Sequence, residues 1–265
     1  MTSNELDPSD VALSAERGAL AEIGFMTGDE PACAVLTPLR IGDRACFALT
    51  YDLSDLATQV GKSGELVVAF SDSRLAYKGW KPLAARVRCD VFADPEGALF
   101  QSKLLEQELR KHPPSRMLID TPLMRREHWW YVPRWIVRVV EVLEVHPIKR
   151  RRTPSDALLM YPGNGGITAT TITVPDWGAD AIRLEPEEVL PNGPALVMKH
   201  DFSIPDLEDR STYVVAGRLN NNVFQAERRE GTVELGPRRK LIERLQAQRQ
   251  LKRSCMEQLH RQKNQ

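Results

Sequence analysis

From Trp129 to Pro147 the chain reads WWYVPRWIVRVVEVLEVHP, aromatic and β-branched residues broken by a few charges and closed by a proline. Such side chains suit a pleated, half-buried surface. A period of two puts Trp129, Tyr131, Pro133, Trp135, Val137 and Val139 on one face. Arg138, Glu141 and Glu144 recur at a helical spacing, but the β-branched content favours a strand. The same charges, and the short apolar length, argue against a membrane span. The expectation is one long strand that opens on the tryptophans.

Other β-leaning runs lie on either side. Two of them flank Gly42-Asp43 in ACAVLTPLRIGDRACFALT and predict a hairpin, while ELVVAFSD and KPLAARVRCDVFAD predict single strands. Residues 9–23 read as a helix capped by Ser9 or Asp10 and stopped at Gly24. DLSDLATQVGKS reads as a short helix. A longer one starts at DPEG, with Asp94 as cap and Pro95 in the first turn, and ends at Pro113-Pro114. HPIKRRRTPSD, residues 146–156, has four successive basic residues between two prolines and predicts a solvated connector.

Beyond the connector, DALLMYPGNGGITATTITV predicts a hairpin around a glycine-rich turn and EPEEVLPNG a short helical piece. The stretch from Pro194 then gives strand, short helix, strand, an Asn-rich turn and strand. Asp206-Leu207 stands in this stretch where Asp55-Leu56 stands in the first half, an echo that suggests two related β-rich units. The tail, from Arg238, is an amphipathic helix with a basic outer face, expected to dock on the protein's own body or on a twin subunit. The fold class is therefore mainly β with helices (α+β). Residues 1–148 form a first domain with an N-terminal helix, 149–156 a basic linker, 157–235 a smaller barrel-like unit, and 236–265 the C-terminal helix.

Charge and cysteine usage narrow the function classes. Lys+Arg and Asp+Glu both number 36, so no net field steers the chain toward nucleic acid or an anionic membrane. Cys33, Cys46, Cys89 and Cys255 are scattered, which argues against a disulfide framework or a zinc site and fits a reducing cytoplasm. The acidic, polar N-terminus does not read as a secretory signal, so a cytoplasmic location is expected. No G-x-S-x-G, H-E-x-x-H or P-loop pattern supports a hydrolase, zincin or NTPase.

The element order, with ACFALTYDLSDLA, VVAFSDSRLAYKGWKPLAARVRCDVFADPEG and QELRKHPPSRMLIDTPLMRREHWWYVPRW, resembles the FMN-binding split β-barrel superfamily, the pyridoxamine 5'-phosphate oxidase-like proteins. The likeness covers about residues 20–148 and is carried chiefly by Trp80 to Val87 and Asp94 to Gly97. It implies a split β-barrel flavoprotein, dimeric or an internal pseudo-dimer, and an oxidoreductase acting on a small molecule. FMN is the implied cofactor, with deazaflavin or haem as alternatives. The resemblance implies Ser73, Arg74 and Lys78 as phosphate contacts, with Trp80, Arg86 and Arg88 nearby, since a dianion needs charge-assisted donors. Lys78 lies four residues after Arg74, whereas in the oxidases the lysine follows directly.

Asp52 and Asp55 stand where flavin-binding relatives often carry basic residues, and two carboxylates would repel a phosphate. They favour the other reading, a cofactor-free dimerisation or partner-binding protein that uses its basic C-terminal helix. Trp129 and Trp130 could stack on a flavin or haem plane, with Arg125, Arg126 or Arg134 reaching its phosphate or propionate. Large aromatics equally fill cores and interfaces. His128 and His200 are the candidate haem ligands.

Overall fold

The computed structural model describes residues 6–163, 165–184 and 190–263. Among these, thirteen strands form two antiparallel sheets. The first comprises β1 (Ala21–Thr27), β2 (Glu30–Leu36), β3 (Leu39–Ile41), β4 (Arg44–Leu49), β5 (Glu65–Phe70), β6 (Leu83–Asp94) and β7 (Arg134–Pro147), in the spatial order β2-β1-β5-β6-β7-β4-β3. The second comprises β8 (Asp156–Gly163), β9 (Gly166–Thr173), β10 (Ala181–Arg183), β11 (Gly193–Phe202), β12 (Arg210–Asn220) and β13 (Val223–Gly231), in the order β10-β13-β12-β11-β8-β9. Helices α1 (Pro8–Arg17) and α2 (Ser54–Ser63) belong to the first sheet's core. Helices α3 (Leu105–Lys111), α4 (Arg116–Ile119) and α5 (Pro122–Glu127) connect β6 to β7, and α6 (Leu241–Lys263) ends the described chain.

The first sheet curls. β1 and β4 lie four strand steps apart, roughly 19 Å if the sheet were flat. Yet Ile23 and Phe25 of β1 share one buried cluster with Phe47 and Leu49 of β4, joined by Val11 and Ala15 of α1 and Ala57 and Val60 of α2. This is the α+β split-barrel arrangement expected from the sequence, a curled half-barrel wrapped around apolar side chains.

The second sheet covers the outside of that curl. Val67, Ala69 and Ala84 bury against Leu158, Met160 and Met198. The approach is close enough that a Cβ on Gly24 would come within 2.5 Å of Met160 Sδ. Gly24 is thus a packing glycine inside β1, not the end of a helix. The first helix stops earlier, at Gly18, and its N-cap is Asp7, whose side chain accepts from the Ser9 amide while Asp10 accepts from the Asp7 amide. Only its later half departs from the expected 9–23 span.

Several other expectations need correction. The run at 33–36 pairs back onto β1, so the hairpin around Gly42-Asp43 joins β3 and β4 alone. Asp94 does cap the following helical segment, accepting from the amides of Ala98 and Phe100, but that segment passes through a π-helical turn at Phe100–Leu104 before α3. Trp129–Tyr131 form a 3-10 turn rather than the first residues of a strand. Thr121 caps α5, the His128 amide closes it on Met124 O, and Pro133, which has no N–H for a ladder, delays the strand to Arg134.

The connector is not simply solvated. Lys149, Arg150 and Arg152 are exposed, but the Arg151 side chain is 7 % exposed, and its backbone bridges to Asp72. The paired Asp-Leu motifs differ locally, since Asp55-Leu56 lies in α2 whereas Asp206-Leu207 lies in a turn with Leu207 at φ 54°. That turn replaces the expected short helix. The helical piece expected at EPEEVLPNG falls largely on 185–189, outside the described residues. In α6, Cys255 and Leu259 are buried on the body, while Leu241 and Ile242 are about seven-tenths exposed at 71 % and 69 %.

Candidate functional site

Adjacent residues of a 3-10 turn point about 120° apart, so Trp129 and Trp130 part company. Trp130 is buried, its ring edge-on to Tyr131 at 5.7 Å and to His128 at 6.2 Å. Trp129 is 49 % exposed and faces a cleft of about 640 Å³. Arg125 and Arg126 on α5, Gln101, Pro133 and Leu259 of α6 line the same cleft, and Glu96 stands on it too. Gly97, at φ 65°, makes the close turn beside it possible; a Cβ there would lie 2.6 Å from Val132 O. Among the described residues, no carboxylate stands within ion-pair distance of Arg125 or Arg126.

Arg134 lies beneath, fully buried. Its guanidinium sits between the rings of Phe100 (4.0 Å) and Tyr131 (4.4 Å), and Nη1 donates to Pro133 O at 3.0 Å and to Tyr131 O. Its Nε and Nη2 are buried without a hydrogen-bond partner. Nearby, Glu108 is buried and accepts from Ser115. Burial pushes the Glu108 carboxyl up, but His112, Arg134 and Ser115 outweigh it and hold it below the usual range.

The other residues singled out in the sequence occupy different neighbourhoods. Ser73 and Arg74 are on the loop after β5. Arg74 donates from Nε and Nη2 to Asp72 (3.0 and 2.7 Å) and from Nη1 to Asp201 at 2.5 Å, with its guanidinium 4.1 Å over the Phe202 ring. An anion arriving here would meet two carboxylates already holding the cation. Lys78 is exposed, and its carbonyl accepts from Arg17. Trp80 packs against the barrel core with its Nε1 buried and unpartnered. Arg86 pairs with Glu65 at 3.5 Å and Glu144 at 3.7 Å, and Arg88 with Glu65 and Glu141. The structure brings Trp129, Arg125 and Arg126 together over Trp130 and Arg134; it does not bring Ser73, Arg74 or Lys78 to them.

Both candidate haem histidines are engaged. His128 Nδ1 lies 3.1 Å from Met124 O and its Nε2 3.5 Å from Gln248 Nε2. His200 is buried between the sheets, its Nε2 2.9 Å from Glu22 Oε1 and against Arg151 Nη2. Asp52 accepts from Cys255 Sγ at 3.6 Å, which ties the C-terminal helix to the turn before α2, and Asp55 is exposed.

The cluster around Glu22 went unnoticed in the sequence. Glu22 accepts from Ser71 Oγ, from Arg151 Nη2 at 2.9 Å and faces His200; Arg151 Nε also donates to Ser71 Oγ at 2.7 Å. Burial would raise the Glu22 carboxyl, but the His200 hydrogen bond, the Arg151 charge and Ser71 bring it down to about 2. An acid in the otherwise apolar run LAEIGF was the available signal. Among the described residues, no group of three or more His, Cys, Asp or Glu side chains is placed to hold a metal ion, and no helix is long and apolar enough to cross a membrane.

No protein-family model matches the chain, and no curated protein matches it in sequence. Solved structures with a similar strand arrangement include a NimC/NimA family protein from Clostridium acetobutylicum, at 9% identity and TM-score 0.31 over 48% of this chain and 78% of that one. A candidate pyridoxamine 5'-phosphate oxidase from Listeria innocua aligns at 11% identity and TM-score 0.31, over 52% of this chain and 95% of that one. A haem-binding protein from Mycobacterium smegmatis aligns at 12% identity and TM-score 0.34, over 98% of this chain and 99% of that one. These are likenesses of fold, and none assigns a ligand to this chain.

Proposed function

We propose that the chain binds a small planar anionic cofactor, FMN in the first place, in the Trp129 cleft, and serves as a flavin-dependent oxidoreductase-like protein. One observation carries this reading: a half-exposed indole and two guanidiniums that have no carboxylate partner among the described residues line the same cleft. An indole face offers a ring somewhere to stack, and paired guanidiniums suit a phosphate because their N–H groups match its oxygens in pairs. A volume of about 640 Å³ falls in the range of small-molecule sites.

In this reading Trp129 orients the ring, Arg125 and Arg126 hold the phosphate, and Val132, Pro133 and Leu259 keep water from the ring's far side. Glu96 repels an anion, which directs the phosphate toward the α5 end of the cleft. A bound flavin would supply the electron or hydride transfer. The protein's part is binding and orientation.

The test is the visible spectrum of the purified full-length protein, followed by titration with FMN and with haemin while Trp fluorescence is recorded. Saturable quenching by FMN, lost on raising ionic strength, is the expected result. Preference for haemin would replace flavin by haem in the same cleft. Indifference to both would overturn the reading and leave partner binding, which the exposed Leu241, Ile242 and Leu245 of α6 favour.

A further inference from the structure

The Glu22 cluster lies apart from the cleft, and its hydrogen bonds conflict. His200 Nε2 meets an acceptor, Glu22 Oε1, at 2.9 Å and a donor, Arg151 Nη2, in direct contact. One neutral imidazole nitrogen cannot satisfy both. With its proton on Nε2 the ring serves Glu22 and turns an N–H on the guanidinium. With the proton on Nδ1 it serves Arg151, but Nδ1 is buried and has no partner.

We propose that His200 is a proton-operated latch between the two sheets: the neutral ring seats Arg151, and uptake of a proton drives Arg151 and the connector out of that seat. A doubly protonated ring would turn an N–H on the guanidinium at a site where the His200 side chain is 2 % exposed and that of Arg151 7 %. Burying two cations in contact is costly even with a carboxylate nearby.

The other groups around the ring do not relieve this. Glu22 on β1 already accepts from Ser71 and Arg151. Asp72 lies 3.6 Å from Arg151 but is bound at 2.7 Å by Arg74, and Asp201 next in the chain is also held by Arg74. Phe202 stacks on the ring at 6.1 Å, and Thr212 is its cross-strand neighbour on β12. Burial and the Arg151 charge both oppose protonation, more strongly than Glu22 favours it. At position 151 the connector is tied by its amide, which donates to Ser71 O at 3.0 Å, and by the Arg151 side chain; on either side Thr171 Oγ1 donates to Lys149 O at 2.6 Å and the Arg152 and Thr153 amides donate to Asp156. Releasing that side chain removes its hold on Glu22 and Ser71 and loosens the segment around position 151.

The experiment is amide hydrogen exchange on the full-length protein at about pH 7.5 and about pH 5.5, corrected for intrinsic rates, in the wild type and in His200→Gln. A glutamine amide presents a donor and an acceptor without taking up a proton. In the wild type, protection over 148–154 and 196–203 should fall severalfold, up to about tenfold, in acid while the strands of the half-barrel keep theirs. In His200→Gln it should stay level. Unchanged wild-type protection, or the same loss in the variant, overturns the latch. Should the variant fail to fold, the wild-type profile decides: a local loss supports the latch, and a uniform loss overturns it.

Discussion

Arg151 Nη2 stands 2.9 Å from Glu22 Oε1, and this buried pair fastens the basic connector to the first strand of the half-barrel. Removing one member strands the other without a partner in the interior. Arg151→Met is expected to destabilise the protein by about 3–5 kcal/mol in urea unfolding, whereas Arg152→Met, at an exposed neighbour, should stay within about 0.5 kcal/mol. The double variant Glu22→Gln/Arg151→Met should recover part of the loss, because no buried charge is left alone. Equal effects at positions 151 and 152 would contradict the buried pair.

The Glu22 carboxyl also sets an acid limb. Its folded value of about 2 lies below the ordinary 4.5, so between these values the unfolded chain binds more protons. The stabilisation is complete above about pH 4.5 and is lost as pH falls toward 2. Unfolding free energies measured over this range should fall more steeply for the wild type than for Glu22→Gln. Parallel curves would show that the carboxylate gains nothing on folding.

Lys111 gives a slope of the same sign at the alkaline end. It is buried, donates to Pro38 O at 2.7 Å and to Ala15 O, and burial with Arg110 nearby lowers it to about 7. Between about 7 and the ordinary 10.5 the unfolded chain holds more protons, so stability should rise as pH climbs through that window. Lys111→Met should flatten the rise. At the alkaline end of that window it should cost about 1–3 kcal/mol, since the Ala15 and Pro38 carbonyls lose their donor.

Much of the half-barrel was legible because its strands carry their own signals. β5 and β7 announce themselves by β-branched runs and β6 by partial alternation, and α2 ends where expected, at Gly64 with φ 68°. What stayed hidden depends on partners far along the chain. KRRR looks solvated unless one knows that Glu22 and Ser71, 129 and 80 residues earlier, receive the third of its cations. Gly24 looks like a helix stop until Met160 of the second sheet is placed against it. At the cleft the residue types were visible, but a strand reading puts Trp129 and Trp130 on opposite faces of a sheet, whereas the turn puts one outside and one in the core.

Gly97 tests the wall of the cleft. Its φ of 65° is one that side chains adopt rarely, and an added Cβ would strike the Val132 carbonyl at 2.6 Å. Gly97→Ala should therefore destabilise by more than about 1 kcal/mol, and the exposed Gly28→Ala, at a similar φ of 63° with nothing near its Cβ, should cost less. Equal losses would show that the dihedral alone matters and that the turn does not press on Val132.

Two sets of arginines compete for the role of phosphate anchor, and their present partners distinguish them. Arg74 spends its N–H groups on Asp72 and Asp201, so a ligand phosphate would have to displace a carboxylate of equal reach. Arg125 and Arg126 face the cleft without such partners among the described residues, so a phosphate gains their hydrogen bonds at little cost. Charge-assisted bonds of this kind are each worth about 1.5–3 kcal/mol, so Arg125→Ala/Arg126→Ala should weaken FMN binding by roughly a hundredfold. Trp129→Ala removes a stacking face and should weaken it by about tenfold, with loss of the fluorescence quench. Arg74→Ala should leave affinity within about twofold, since the side chain is already committed elsewhere. A larger loss with Arg74→Ala than with the double variant would move the phosphate from the cleft to the loop after β5.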